Sequence, residues 1–188
     1  QAAPAFASGM VDGYFDGEVP MDFFSWHIYC VTPEKALERA KVARAIMDEA
    51  GYTEAESILN EWNYVEGWVG EAFKRSKKMI AGIKGAAFTM ATMIACQKSD
   101  ILDMLMYYDT RPSAFCGPFD FYTAAVKKPY YALYWYGMFY DMECEVRCQN
   151  QPEDIYTLCG VDADGKVLAT VTYYTDEEET APAKRIAL

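Results

Sequence analysis

Two hydrophobic patterns alternate along the first three quarters of the chain. Short runs of apolar and aromatic residues, typical of strands, occupy residues 22–29, 56–61 and 101–108. The longer stretches between them repeat apolar residues at helical spacing. Strands that are separated by helices need crossover connections, so the pattern predicts an α/β fold with a parallel sheet.

The helix that follows the first strand has signals at both ends. Thr32 is suited to cap it, Pro33 to occupy its first turn, and Gly51 to end it. Two further helices are predicted over residues 86–96 and 129–140. The last of these is rich in aromatic residues, which we interpret as packing onto the sheet and not as a binding surface.

From about residue 143 the pattern changes to strands without intervening helices. Residues 145–147, 155–160 and 167–174 read as strands, and the Asp164-Gly165 pair favours a hairpin turn. The sequence therefore predicts two parts. They are an α/β domain over residues 1–142 and an antiparallel segment over residues 143–188 that begins a β-sandwich.

The run Leu59-Asn60-Glu61-Trp62-Asn63 carries the strongest candidate for chemistry. A carboxylate at the end of a short apolar strand, beside an amide and an indole, is placed as catalytic acids are at the carboxyl ends of parallel barrel strands. Glu61 is thus a catalytic candidate. The alternative is that Glu61 pairs with a basic neighbour.

The strand before Glu61 ends in two further polar side chains. We expect His27 and Tyr29 to contact substrate hydroxyls, and Tyr29 also to hydrogen-bond Glu61 and orient it. The alternative is that His27 is a core imidazole with its hydrogen bonds satisfied, and that Tyr29 is a packing ring.

Two tryptophans and one aspartate complete the predicted site. Trp62 and Trp68 offer flat aromatic faces suited to the apolar side of a sugar, although each could instead be wall packing. Asp109, at the end of the third strand, either contacts substrate or pairs with Arg111.

Composition narrows the class of ligand. Hydrophobic residues make up 52% of the chain and aromatic residues 15%, so a packed core is expected, with rings to spare for sugar stacking. The formal net charge of −11 disfavours nucleic acid and anionic membranes as partners. A neutral substrate such as a carbohydrate fits this charge better.

The six cysteines show no metal-binding spacing, and the single histidine, His27, is far from them in sequence. We therefore predict no metal site. Their even number permits disulfides, although buried thiols fit a chain of this size. The start Gln-Ala-Ala-Pro shows no signal peptide, and no apolar run is long enough to span a bilayer, which leaves localisation open with the cytoplasm favoured.

Several short motifs together resemble the C-terminal half of a retaining glycoside hydrolase of the large (β/α)8 clan, most like family 39, the β-xylosidase and α-L-iduronidase family. The run Asp22-Phe23-Phe24-Ser25-Trp26-His27-Ile28-Tyr29 is similar to its sixth barrel strand, and Leu59-Asn60-Glu61-Trp62-Asn63 to its seventh. Tyr107-Tyr108-Asp109 is similar to its eighth. The likeness covers most of residues 20–175, with Asn60 standing where that family commonly has Thr.

The resemblance implies a partial TIM barrel, the last three strand–helix units, with the start of an accessory β-domain. It implies that Glu61 is the nucleophile of a retaining mechanism that needs no metal or cofactor. Such a mechanism needs a second carboxyl group about 5 Å away. In this clan that acid/base lies in an Asn-Glu-Pro setting on the fourth strand, which this chain lacks. We therefore expect the isolated chain to be inactive.

Three rival functions remain open from the sequence. The first is an arabinofuranosidase-like activity, since Glu-Trp-Asn is also similar to family 51. The second is a non-catalytic carbohydrate-binding or interaction module that has kept part of a barrel. The third is half of a two-chain enzyme, in which a second chain or self-association completes the barrel and covers the open sheet edges.

Overall fold

The computed structural model describes residues 20–112, 114–149 and 151–177. Predictions that fall on residues 1–19 and 178–188, at the outer ends of the two predicted parts, lie outside the described residues.

A three-stranded parallel sheet forms the first part, in the order β1-β2-β3. The strands are β1 (Phe23–Cys30), β2 (Glu56–Tyr64) and β3 (Met104–Tyr107). The helices are α1 (Pro33–Glu49), α2 (Gly70–Ala81), α3 (Ile83–Gln97) and α4 (Lys128–Gly137), and a 3₁₀ turn, Met138–Asp141, follows α4. The predicted order of strands and helices is confirmed, with the basic stretch before α3 forming an additional helix, α2.

A separate antiparallel sheet forms the second part, in the order β4-β5-β6. Its strands are β4 (Cys144–Glu145), β5 (Ile155–Val161) and β6 (Val167–Tyr173). The predicted hairpin joins β5 to β6. Gly165 there has a φ of +81°, a conformation that glycine adopts without strain.

Helix α1 begins as its sequence predicts. The backbone N–H of Lys35 donates to Thr32 Oγ1 at 3.4 Å, and Pro33 lies in the first turn, where a missing N–H costs nothing. Small residues at helical spacing, Ala36, Ala40 and Ala43, are buried along one face. The small alanine side chains allow the backbone of this helix to approach the core closely.

The core lies between the parallel sheet and α3. Phe88 of α3 is fully buried, and its ring lies 6.1 Å from Trp62 and 5.5 Å from Tyr64, both on β2. The antiparallel sheet shares this core, since Leu158 is buried in it and the ring of Tyr174, which follows β6, lies 5.6 Å from Phe88. The two sheets are therefore packed on one continuous hydrophobic cluster.

The prediction that the aromatic residues of α4 pack inward holds for only some of them. In α4 only Pro129 and Ala132 are buried, whereas Tyr131, Tyr134 and Trp135 are 40%, 56% and 53% exposed. The helix carries aromatic residues on more sides than the sheet and α3 can cover, so a part of them faces outward.

No single helix in the described ranges is both long and apolar enough to cross a membrane. Helices α2 and α3 pass that test only when they are taken together across a bend of 77°. Most of α3 is buried inside the protein.

Candidate active site

A bulge in β2 determines which way Glu61 faces. In the pairing of β1 with β2, Trp26 lies opposite Leu59 and the next residue, His27, lies opposite Glu61, so that Asn60 is an extra residue. Successive residues of a strand face opposite sides, and a bulge shifts that alternation by one. Leu59 therefore points into the core beneath the helices, while Glu61 points to the open face of the sheet beside His27.

The two oxygens of the Glu61 carboxylate are contacted by two residues of β1. The Tyr29 hydroxyl donates a short hydrogen bond to Glu61 Oε1. His27 Nδ1 lies 3.3 Å from Glu61 Oε2. The Glu61 side chain is 24% exposed and that of His27 is 54% exposed, so the carboxylate is held in place but remains accessible.

Tyr29 acts as a hydrogen-bond donor in this pair. Burial, the hydrogen bond to Glu61 and the negative charge of that carboxylate together raise the pKa of the Tyr29 hydroxyl well above its ordinary value. The hydroxyl therefore keeps its proton at neutral pH and donates it to Oε1. This arrangement fixes the orientation of Glu61, as the sequence predicts.

Aromatic rings form a wall beside Tyr29. The Trp68 ring lies edge-on to Tyr29 at 4.6 Å, and it also lies 6.0 Å from Phe73 and 6.1 Å from Phe115. Trp68 is 54% exposed. An accessible indole beside a fixed carboxylate offers a flat, apolar face to a ligand.

The expectation that Trp62 also offers a face to a sugar is wrong. Trp62 is 2% exposed, and its ring packs between Phe88 and Tyr107 on the covered face of the sheet. Because Trp62 is adjacent to Glu61 on a strand, the two side chains must face opposite sides. Trp62 is a core residue.

Asp109 pairs with Arg111, which is the second of the two possibilities that the sequence left open. Its Oδ2 accepts from Arg111 Nε at 2.8 Å, and the side chain is 15% exposed. Arg111 Nη2 also donates to the Tyr108 hydroxyl at 3.3 Å, and the Tyr108 ring lies 6.2 Å from Tyr29. Asp109 thus borders the site through Arg111 and Tyr108.

Two contributors were missed by the sequence analysis. Asn63 is buried, and its Nδ2 donates to the Tyr108 carbonyl at 2.6 Å, which ties the end of β2 to the segment after β3. Tyr108 itself closes one side of the site. Its place directly after β3 was the available signal, since parallel barrels carry their site residues at the carboxyl ends of strands.

Across the described part of the chain, no group of three or more histidine, cysteine or acidic side chains is arranged to hold a metal ion. The cysteines in that part are free thiols, and Cys30, Cys96 and Cys116 are buried. What the site offers is an oriented carboxylate, a hydroxyl donor, an imidazole and an aromatic wall.

No protein-family model matches this chain, and no curated protein sequence matches it. Solved structures do share its fold. A glucosidase from Croceicoccus marinus superposes with a TM-score of 0.71 at 22% sequence identity, over 90% of this chain and 36% of the glucosidase. A monomeric beta-xylosidase from Caulobacter crescentus CB15 superposes with a TM-score of 0.59 at 11% identity, over 84% of this chain and 36% of the xylosidase.

At these identities the likeness establishes the fold, and the chain spans about a third of the length of each of these enzymes. The predicted fold class is confirmed, whereas family 39 and the boundary near residue 143 stay predictions. This chain thus shares the fold of a part of each of these enzymes, in which a partial TIM barrel is joined to an antiparallel β-domain.

Proposed function

We propose that this chain carries the nucleophile half of a retaining glycosidase site, in strands that correspond to the sixth, seventh and eighth of a family 39-like barrel. The observation that supports it is the Glu61 carboxylate, turned to the open face by the bulge at Asn60 and held by Tyr29. Glu61 would attack the anomeric carbon of a β-xyloside or similar glycoside and form a covalent glycosyl-enzyme.

The neighbouring groups have roles that follow from their positions. Tyr29 holds Glu61 Oε1, and Oε2, which lies beside His27, would form the new bond to the sugar. His27 is half-exposed beside that second oxygen and would contact a sugar hydroxyl. Trp68 would stack on the sugar, and Asp109, paired with Arg111, would border the substrate.

The acid/base would come from outside this chain. Glu66 and Asp109, which follow β2 and β3, are each held by an arginine, Arg75 at 2.5 Å and Arg111 at 2.6 Å. The pKa of Glu66 is lowered by its hydrogen bond to Arg75, which stabilises the ionised form. A general acid needs its proton at working pH, so Glu66 does not suit the role, and the Asp109 carboxylate is already engaged by Arg111.

The missing strands would continue the parallel sheet at its two edges and close the barrel over its open face. Phe23, Met104 and Met106 are on that face by strand alternation, and they are 54%, 43% and 45% exposed. Parallel sheets are normally covered on both faces. We propose that a second chain, or self-association, completes the barrel here, and that a Met106→Lys variant therefore loses an association that size-exclusion chromatography detects in the wild type.

The catalytic proposal is tested with substrates that differ in leaving group. A 2,4-dinitrophenyl β-xyloside needs no acid: when a Glu61 oxygen bonds to the anomeric carbon, the bond to dinitrophenolate breaks and the anion departs with its electron pair. We expect one burst of dinitrophenolate per chain, and no turnover of xylobiose, whose leaving group needs a proton.

The matched variants decide which carboxylate acts. Glu61→Gln removes the burst, whereas Glu66→Gln, which changes a carboxylate held by Arg75, keeps it. A burst that survives in Glu61→Gln, or a folded wild-type chain without a burst, contradicts the proposal.

A further inference from the structure

A groove lies between the two parts of the protein, on the helix-covered side of the parallel sheet. It is bounded by α3, α4 and β6 and has a volume of about 480 Å³. Glu61 faces the opposite, open side of the sheet, so this groove is separate from the candidate active site. Its size falls within the roughly 300 to 1,000 Å³ of small-molecule sites, which often form where domains meet.

Two aromatic rings of α4 line this groove and remain accessible. Tyr131 and Trp135 are 40% and 53% exposed, one helical turn apart, with ring centroids 6.0 Å from each other and an angle of 41° between their planes. Ile83, which is 75% exposed, extends the same apolar surface from α3. The rings form a surface against which a flat, partly apolar ligand can lie.

Polar groups line the groove together with these rings. Thr170 and Thr172 belong to β6, and Lys128 begins α4. Their side chains take part in no hydrogen bond or ion pair with other residues of the described ranges. Two hydroxyls that donate and accept, and an ammonium group that donates, are thus available to a ligand.

This combination selects one class of ligand. A purely apolar ligand would leave the hydroxyls and the ammonium group without partners, and the net charge of −11 disfavours an anion. A neutral pyranose has C–H faces for the rings and hydroxyls for the polar groups. We propose that this groove is a second carbohydrate-binding site, which takes a β-linked oligosaccharide; the choice of β-linked sugars rests on the proposed function.

The test is calorimetric titration of the whole chain with xylohexaose and with cellohexaose, together with NMR of the tryptophan indole N–H groups. We expect Trp135→Ala and Tyr131→Ala each to weaken binding roughly tenfold, since each removes a stacking face. The indole signal assigned to Trp135 should shift on titration.

Two controls separate this site from its neighbours. Tyr134→Ala removes an aromatic residue of α4 that is 56% exposed but does not line the groove, and it should leave the affinity unchanged. Trp68→Ala, at the Glu61 end, should also leave the groove's affinity unchanged. Thermal melting of each variant shows that it is folded.

Four outcomes overturn the inference. The first three are no binding of either hexasaccharide at millimolar concentration, an affinity that Trp135→Ala leaves intact, and binding of a hydrophobic dye without binding of sugar. Binding that is lost only in Trp68→Ala overturns this site while favouring the one at Glu61. The dinitrophenolate burst does not depend on the groove, so failure of either proposal is distinguishable from failure of the other.

Discussion

The two faces of the parallel sheet differ in what covers them. On one face, Trp26, Leu59 and Trp62 are buried beneath the helices. On the other face, His27 and Phe23 are about half exposed, although they lie on the same strand as Trp26. Packing on the covered face stabilises the fold, whereas the open face carries the polar side chains of the candidate active site. The bulge at Asn60 places Glu61 on the open face, although Leu59, two residues before it, lies on the covered face.

The largest effect is expected from breaking the covered face. Trp62→Ala should lower the free energy of unfolding by about 3–5 kcal/mol, because it removes a ring that is packed between Phe88 and Tyr107. Trp68→Ala, which truncates a 54% exposed tryptophan of the open face, should cost less than about 1 kcal/mol. Urea unfolding of both variants measures the difference, and equal losses would mean that the two faces do not differ as described.

The hydrogen bond that joins β2 to the segment after β3 gives the next effect. Asn63→Ala should cost about 1–3 kcal/mol, because it leaves the Tyr108 carbonyl and the Tyr64 N–H without their partner. Asn60→Ala is the matched control. The buried Oδ1 of Asn60 has no partner within the described ranges, so its loss should change the free energy of unfolding by less than about 0.5 kcal/mol.

The two faces also differ in which of their features can be predicted from the sequence. Thr32, Pro33 and Gly51 predicted α1 because helix ends depend on local backbone chemistry. Glu61 and Tyr29 were found because each stands near the end of a predicted strand, where parallel barrels place their chemistry. The bulge at Asn60 was not, because nothing in the local sequence distinguishes a strand with an extra residue from a regular one.

Trp62 shows a different kind of failure. Adjacent residues of a strand face opposite sides, so Trp62 and Glu61 could not both line one pocket. The sequence prediction overlooked this alternation. The exposed rings of α4 could not have been predicted in the same way. Their exposure depends on which sides of the helix α3 and β6 cover, and that is set by tertiary packing.

A further effect concerns pH and depends on burial on the covered side of the sheet. Burial raises the pKa of the Cys96 thiol from its ordinary 9.0 to about 12. The folded protein therefore retains this proton where the unfolded chain loses it. Stability from Cys96 is fully present below pH 9 and falls as the pH rises from about 9 towards 12, by at most about 1.4 kcal/mol per pH unit.

Urea unfolding between pH 8 and pH 11 tests this sign. Buried tyrosines such as Tyr174 also have a raised pKa and act in the same direction, so the slope of stability against pH must be compared between variants. Cys96→Ala should flatten that slope, whereas Cys144→Ala, which changes an exposed thiol, should leave it as in the wild type. An unchanged slope in Cys96→Ala would refute the prediction.

The most direct measurement is covalent trapping of the nucleophile. A 2,4-dinitrophenyl 2-deoxy-2-fluoro-β-xyloside loses dinitrophenolate when a carboxylate attacks, and the fluorine slows hydrolysis of the glycosyl-enzyme that forms. Peptide mass spectrometry should find one fluoroxylosyl group on Glu61, and none in Glu61→Gln. An adduct on Glu66 or Asp109 instead, or no adduct on a folded chain, would contradict the claim that Glu61 is the nucleophile.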